Sequence, residues 1–435
     1  MSGFEIAFIA FGILTILIYL GLHISTALFI TSFIGVWILR GDYTISATLL
    51  GVAATDAIAD YEYGVIPLFV MMGFLVMNSG VGSDSYQVAY QSFRKVPGSL
   101  GHATVVGNAI FSAITGVSVA AVVLFTKLAV PEMIERGYDK KFAVGVVAGS
   151  AMLGMLIPPS VLMILYAILT DVSIGDLFIA GIIPGILMSI AFSGTIYWMA
   201  KRNPHLFGAN YQSPGAKLTQ LELIKKALPI IILIFLVLGG MYIGFFTATE
   251  AGATGTTAAF AISLWRRTLT WKILWKLMVD TGHVTASLIL IIISANMFSR
   301  FLALSGLPDQ LEQWVSVGQY SLYPILGLYL LVVLFLGTAM DSASTTLIAV
   351  PIFTVIFKAL GADLIWIGII TMITVEIGLL TPPLGIAPFV IKMTLDDKSI
   401  TLNDIYAGAL PFAFAAFVVV LLIIAFPWLA TGLIR

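Results

Sequence analysis

The chain has 435 residues, 60% hydrophobic and only 10% charged, with a mean hydropathy of +1.07 and a formal net charge of −1. Soluble domains carry roughly 25% charged residues, so the composition excludes a soluble globular protein and leaves a polytopic membrane protein in contact with lipid. The near-zero charge gives no footing to a nucleic-acid partner, and the absence of cysteine excludes disulfides, thiol catalysis and cysteine-ligated metals.

A helix needs about 20 apolar residues to cross a bilayer. In chain order the apolar stretches predict spans at 4–20, 22–39 and 62–82, an interrupted segment at 103–129, then spans at 141–169 and 177–200. The start has no basic n-region or cleavage site, so Phe4–Leu20 is expected to be a retained span. A stretch at 204–226, with Pro204, Pro214 and several lysines, reads as a cytoplasmic linker. A second series follows: 228–247, 250–265 and 284–304, an interrupted segment at 323–357, then 364–393 and 404–432. Arms are expected at 42–60 and 266–280. In the second, Trp265, Trp271 and Trp275 alternate with Arg266, Arg267, Lys272 and Lys276, which suits the headgroup layer.

The two series repeat one another. Gly154-Met155-Leu156-Ile157-Pro158-Pro159 returns as Gly378-Leu379-Leu380-Thr381-Pro382-Pro383, Asn78-Ser79-Gly80-Val81 pairs with Leu304-Ser305-Gly306-Leu307, and Val130-Pro131 pairs with Val350-Pro351. Proline removes a backbone donor and clashes with the preceding turn, so each Pro-Pro should break its helix. At membrane depth a broken helix is tolerated only when packed in protein or lining a cavity. Two breaks in matching positions point to a transporter's binding site.

The interrupted segments carry polar, glycine-containing middles, Ser112–Ser118 and Gly337–Ser344. Each is expected to be a re-entrant hairpin of two short arms; the alternative is one ordinary span with small packing residues. With the N-terminus outside and both segments re-entrant, every Lys and Arg except Arg40, Arg300, Lys358 and Arg435 falls inside, as the positive-inside rule asks. Each half then crosses an odd number of times. The expected fold is therefore all-α and polytopic: two inverted repeats, 1–203 and 227–435, each of about five spans, one hairpin and one broken helix, with both termini outside. The pairs 4–39 and 228–265 with their arms would form a scaffold, and the hairpins and broken helices a moving domain.

Free carbonyls and hydroxyls at such breaks are the hard, neutral oxygens a Na⁺ ion takes. In the first half Ser112 and Thr115 would face Gly154, Ile157 and Pro159. In the second, Gly337 and Asp341 would face Gly378, Thr381 and Leu384. For any single hydroxyl the alternative is packing or back-bonding to a helix carbonyl. The second half has Thr381 and Glu376 where the first has Ile157 and Met152, so it is expected to hold the better defined site.

Ionisable groups within spans are functional candidates by default. Asp341 is a candidate ligand, with a helix cap as its alternative. Glu376, near the broken turn, joins Pro158, Pro382 and Pro383 as a structural or gating group, its alternative being a hydrogen bond to freed backbone N–H. Arg300 suits a substrate carboxylate or sulfonate, beside the tip hydroxyls of Ser118, Ser342 and Ser344; its alternative is an internal partner, Asp341 or Glu376, or snorkelling outward. Glu250 sits at a tight outer turn, where capping is expected. His23, His102, His205 and His283 are scattered without metal spacing, and no GxSxG, Walker A or dinucleotide motif occurs. The chain is thus expected to be no enzyme, to hold no organic cofactor and not to hydrolyse ATP.

Glu376-Ile377-Gly378-Leu379-Leu380-Thr381-Pro382-Pro383-Leu384-Gly385, Met340-Asp341 followed by Val350-Pro351-Ile352-Phe353, and Thr249-Glu250-Ala251 resemble the large membrane subunit (M, DctM-like) of TRAP transporters, over essentially the whole chain. The resemblance implies an elevator-type symporter of the ion-transporter kind in the bacterial inner membrane. It implies coupling to two or more Na⁺ ions, a small four-helix (Q-type) membrane subunit, a periplasmic (P-type) substrate-binding protein, and a small organic anion as substrate. One departure stands out: members often have a Ser-Gly-Ser-Ser-like first tip, whereas this chain has Thr115-Gly116-Val117-Ser118, so the resemblance does not fix the hydroxyl ligand there. The rival readings are a stand-alone ion-coupled carrier and a channel.

Overall fold

Hydroxyl and carboxylate caps start several helices of this chain. Reciprocal capping boxes stand at Ser2/Glu5, Thr219/Glu222, Thr247/Glu250 and Thr401/Asp404, and each satisfies two otherwise unpaired N–H groups. The structure is a computed structural model and describes residues 2–59, 61–116, 118–208, 218–318, 320–383, 385–395, 397 and 399–434. Within them the elements are helical, apart from turns and an isolated bridge between Tyr138 and Phe207.

The first series comprises α1 (Gly3–Tyr19), α2 (Ile24–Arg40), α3 (Tyr43–Ala59), α4 (Val65–Asn78), α5 (Val81–Phe93), α6 (Ser99–Thr115), α7 (Ser118–Glu135), α8 (Lys140–Leu156), α9 (Val161–Thr170) and α10 (Ile174–Arg202). The second comprises α11 (Gln220–Ile234, extended by a π-turn at Phe235–Gly239), α12 (Ala248–Trp265), α13 (Trp271–Leu304), α14 (Leu307–Gly318), α15 (Leu322–Ala339), α16 (Ser342–Ala359), α17 (Leu364–Leu379), α18 (Ile386–Thr394) and α19 (Leu402–Ala425). Among the described residues, α10, α13, α15, α16 and α19 are each long and apolar enough to cross a membrane. The bent pairs α4–α5 and α8–α9 reach that length together, at 67° and 43°.

The repeated sequences take the same shapes. At the two Ser-Gly elbows the glycines are left-handed, Gly80 at φ +80° and Gly306 at φ +71°. In each, the serine hydroxyl donates to the carbonyl three residues back (Ser79 to Val76, Ser305 to Leu302) and accepts the N–H two residues on. Both Pro-Pro bonds are cis and both follow a helix end. Pro131 and Pro351 lie inside α7 and α16, Pro184 and Pro411 inside α10 and α19.

Three expectations change. The spans predicted at 62–82 and 284–304 end in elbows followed by α5 and α14, whose polar residues hid them from a search for apolar length. The arm predicted at 266–280 is not separate: it continues into the next span as the 34-residue α13, whereas in the first half a 3-10 turn at Tyr61–Gly64 parts α3 from α4. The hairpin arms are not short, each having 17 or 18 residues, and the two arms of each hairpin pack together.

Glycines let helices of the two series touch. Gly145 and Gly149 of α8 lie against Gly408 and Phe412 of α19, and a methyl on Gly145 would overlap the Gly408 backbone. This is the small-residue contact expected where lipid supplies no hydrophobic drive between helices. Ion pairs Lys140–Asp397 (2.8 Å) and Lys141–Asp404 (3.1 Å) close the same end.

Candidate functional site

The first tip is tied to the first break. Helix α6 ends at Gly116, left-handed at φ +67°, whose N–H donates to the Ser112 carbonyl at 3.1 Å. The Gly116 carbonyl accepts the Val161 N–H at 3.3 Å, beyond the Pro-Pro. A side chain at Gly116 would overlap the Pro159 carbonyl, and a methyl on Gly154 would lie 2.8 Å from the Ser118 Cα. These contacts bring Gly116, Ser118, Gly154 and Pro159 together, with Ile157 and Pro158 in the same break; Ser112 and Thr115 lie on the last turn of α6 that leads into the tip. Pro158 also lines an apolar groove beside α10.

Two oxygens behind this tip lack partners. Ser112 Oγ and Asn108 Oδ1 are fully buried and make no hydrogen bond. Asn108 Nδ2 donates to Ser150 Oγ of α8 at 2.6 Å. Thr115 instead takes the ordinary route and donates to the Phe111 carbonyl at 2.9 Å. A buried unpaired oxygen is costly unless something fills its vacancy, and two neutral oxygens one turn apart on α6 are of the kind a monovalent hard cation takes. Asn108 and Ser150 were missed in the sequence reading. The signal was present: Asn108 and Ser112 are four apart, on one face of a helix.

The second tip is more fully satisfied. Asp341 caps α16, accepting from Ala343 N (3.1 Å), Ser344 N (3.3 Å) and the Ser344 hydroxyl. Ser342 donates to Glu376 Oε1 at 3.1 Å, both groups being buried. Thr381 donates to the Ile377 carbonyl at 2.8 Å. Gly337 and Gly378 touch backbone to backbone: a methyl on Gly378 would lie 2.8 Å from the Gly337 Cα. Unpaired Ser112 and Asn108 sit in the first half; in the second half Thr345 Oγ1 is also unpartnered. Pro382 and Pro383 follow at the second break, and Leu384 lies outside the described residues.

Residues of both tips and residues flanking both breaks line a cavity of 220 Å³, among them Ser118, Met155, Asp341, Ser342, Glu376 and Leu380. A larger cavity of 700 Å³ shares Asp341 and runs between the second tip, with Ser344, and the α1–α2 turn and α13. Arg300 lines neither cavity. Its guanidinium pairs with Asp56 on α3, a partner different from the Asp341 or Glu376 considered for it. Glu250 does cap: its carboxylate accepts the Thr247 N–H at 2.8 Å, and hydrogen bonding to that backbone and hydroxyl completes the box.

Comparison with known proteins agrees with this architecture. Residues 11–429 match the family model described as the tripartite ATP-independent periplasmic transporter, DctM component. The C4-dicarboxylate TRAP transporter large permease protein DctM of Pseudomonas aeruginosa is 33% identical, covering 79% of this chain and 80% of its own. The sialic acid TRAP transporter large permease protein SiaM of Vibrio cholerae is 30% identical over 83% of each chain. Among solved structures, the Alcanivorax borkumensis YdaH transporter shares the fold, with a TM-score of 0.57 at 15% identity over 86% of this chain and 89% of that one. The chain belongs to the DctM component family of TRAP transporters: it is a large permease subunit and a multi-pass membrane protein, not an enzyme.

Proposed function

We propose that this subunit carries a small organic anion inward by an elevator motion coupled to Na⁺. The observation that carries the reading is one cavity lined by residues of both hairpin tips and by residues flanking both Pro-Pro breaks. The buried, unpartnered oxygens of Ser112 and Asn108 support a Na⁺ position at the first tip, with Thr115, Gly154, Ile157 and Pro159 around it. At the second, Gly337, Asp341, Gly378, Thr381 and Leu384 would form the counterpart. Ser118 would offer its hydroxyl to the anion; Ser342 and Ser344 would do so only on releasing Glu376 and Asp341, to which they donate. Glu376 and the prolines would hold the tip against the break.

In this reading the halves 1–203 and 227–435 are inverted about the linker 204–226, the hairpins are re-entrant, and both termini face the periplasm across the inner membrane. Helices α1–α3, α11–α12 and the first part of α13 form the scaffold. The larger cavity, beside His23 in the α1–α2 turn, then opens to the cytoplasm. A small membrane subunit would brace the scaffold, and a periplasmic binding protein would deliver substrate. The isethionate TRAP transporter permease protein DctMQ of Oleidesulfovibrio alaskensis, 27% identical, supports a further membrane piece, since this chain covers only 59% of it. The names of relatives point to C4-dicarboxylates, sialic acid or isethionate as candidate substrates. Uptake of these three should be measured in proteoliposomes holding the permease and small subunit, with binding protein outside. A Na⁺ gradient should drive one of them. Uptake that ignores Na⁺ sinks the coupling, and uptake without the partners favours a stand-alone carrier.

A further inference from the structure

We infer that the 700 Å³ cavity beside the second tip receives the acid group of the transported anion between His23 and His283. The inference rests on the anion-transport reading and assigns its charge-recognition residues. The cavity is walled on one side by the tip, Ala339 to Ser344, and on the other by the α1–α2 turn and the stretch of α13 from His283 to Ile291. Its volume is in the range of small-molecule sites.

Its ionisable lining residues, among those described, are Asp341, His23 and His283; no Lys or Arg lines it. Arg300, the cation expected to meet substrate, is paired with Asp56 elsewhere. The N-terminus of α16 could attract an anion, but Asp341 already occupies its Ala343 and Ser344 N–H groups. Among the described side chains that line the cavity, the two imidazoles are therefore the ones able to carry positive charge. Both side chains are exposed to it. Nδ1 of His23 lies 2.7 Å from Ser25 Oγ, so Nε2 is the nitrogen left for a ligand. His283 lies one helical turn before Ser287, which lines the same wall and adds a neutral donor. Two imidazoles and a hydroxyl fit a carboxylate or a sulfonate, the groups that a C4-dicarboxylate, a sialic acid and isethionate have in common.

The test uses permease and small subunit in nanodiscs at saturating Na⁺, with labelled succinate, N-acetylneuraminate and isethionate as probes. The wild type should bind one of them. His283→Asn and His23→Asn should each weaken that binding about tenfold or more. His283→Arg should stay within about threefold of wild type. The melting response to Na⁺ should be unchanged in all three variants. Asn variants that bind as the wild type does overturn the inference, as does an Arg variant as weak as Asn with its Na⁺ response intact. So does a wild type that takes up a probe in proteoliposomes but binds none in nanodiscs. Failure of sodium-driven uptake of every probe by the full wild-type assembly is a separate result, and it removes the transport reading itself.

Discussion

Ser342, on the tip of the second hairpin, donates its hydroxyl to Glu376, 34 residues away on the last turns of α17. The bond is buried and joins the tip to the helix that breaks at Pro382-Pro383. A buried hydrogen bond contributes about 1 kcal/mol net, and an orphaned partner costs about 1–3. Glu376→Gln keeps an accepting oxygen and should melt close to the wild type. Glu376→Ala strands Ser342 and leaves a void, so it should melt several degrees lower. Thermal unfolding in detergent checks this, and an Ala variant that melts like the wild type would remove the bond from the hairpin's support.

The contact between Gly337 and Gly378 makes a sharper demand. A methyl on Gly378 meets backbone at 2.8 and 3.0 Å, and backbone cannot rotate away as a side chain can. Gly378→Ala should push hairpin and helix apart and abolish uptake. Gly327 lies in the same hairpin arm with nothing within 4 Å of an added methyl. Gly327→Ala should retain uptake and, by helix propensity, gain up to about 1 kcal/mol. Equal effects of the two substitutions would show that the close approach is not what matters.

Asp84 on α5 is 8% exposed and meets Arg266 at 2.5 Å and Lys226 at 2.6 Å. Arg266 also donates to the Ser79 carbonyl at 3.2 Å, so the cluster pins the first Ser-Gly elbow to α11 and to the C-terminal end of α12. Removing one member of a buried ion cluster leaves uncompensated charge and costs about 3 kcal/mol or more. Asp84→Ala and Arg266→Ala should each destabilise strongly, and the double variant by clearly less than their sum, measured by denaturant or thermal melts. The more exposed Lys140–Asp397 pair gives the comparison: Lys140→Ala should change little.

Local sequence carries some of these features and not others. Apolar length, the Pro-Pro pairs and the glycine-containing tips marked both hairpins and both breaks, because each is written in consecutive residues. The Glu250 capping box was legible for the same reason. The elbows escaped because α5 and α14 are too polar to register as spans, and the 34-residue α13 because its amphipathic start looked like a separate arm. Partners across long separations leave no local pattern. Arg300 finds Asp56 across 244 residues and Asn108 finds Ser150 across 42, and only packing reveals either. Asp341 could be read both as ligand and as cap, and its bonds to Ala343 and Ser344 show it capping.

Ser112 separates a structural hydroxyl from an ion ligand by the sign of a stability change. Its Oγ is fully buried with no hydrogen-bond partner. An unsatisfied buried hydroxyl costs about 1–3 kcal/mol, so in Na⁺-free buffer Ser112→Ala should melt at or above the wild type. A cation that binds the folded protein raises stability by mass action, so with NaCl in place of choline chloride the wild type should gain and the variant should gain less. Asn108→Ala should blunt the same response, but it also strips a donor from Ser150 and should melt lower without Na⁺. A Ser112→Ala variant with an undiminished Na⁺ response would exclude that oxygen from the coupling site. One that melts lower in choline would mean that the hydroxyl stabilises the fold without an ion.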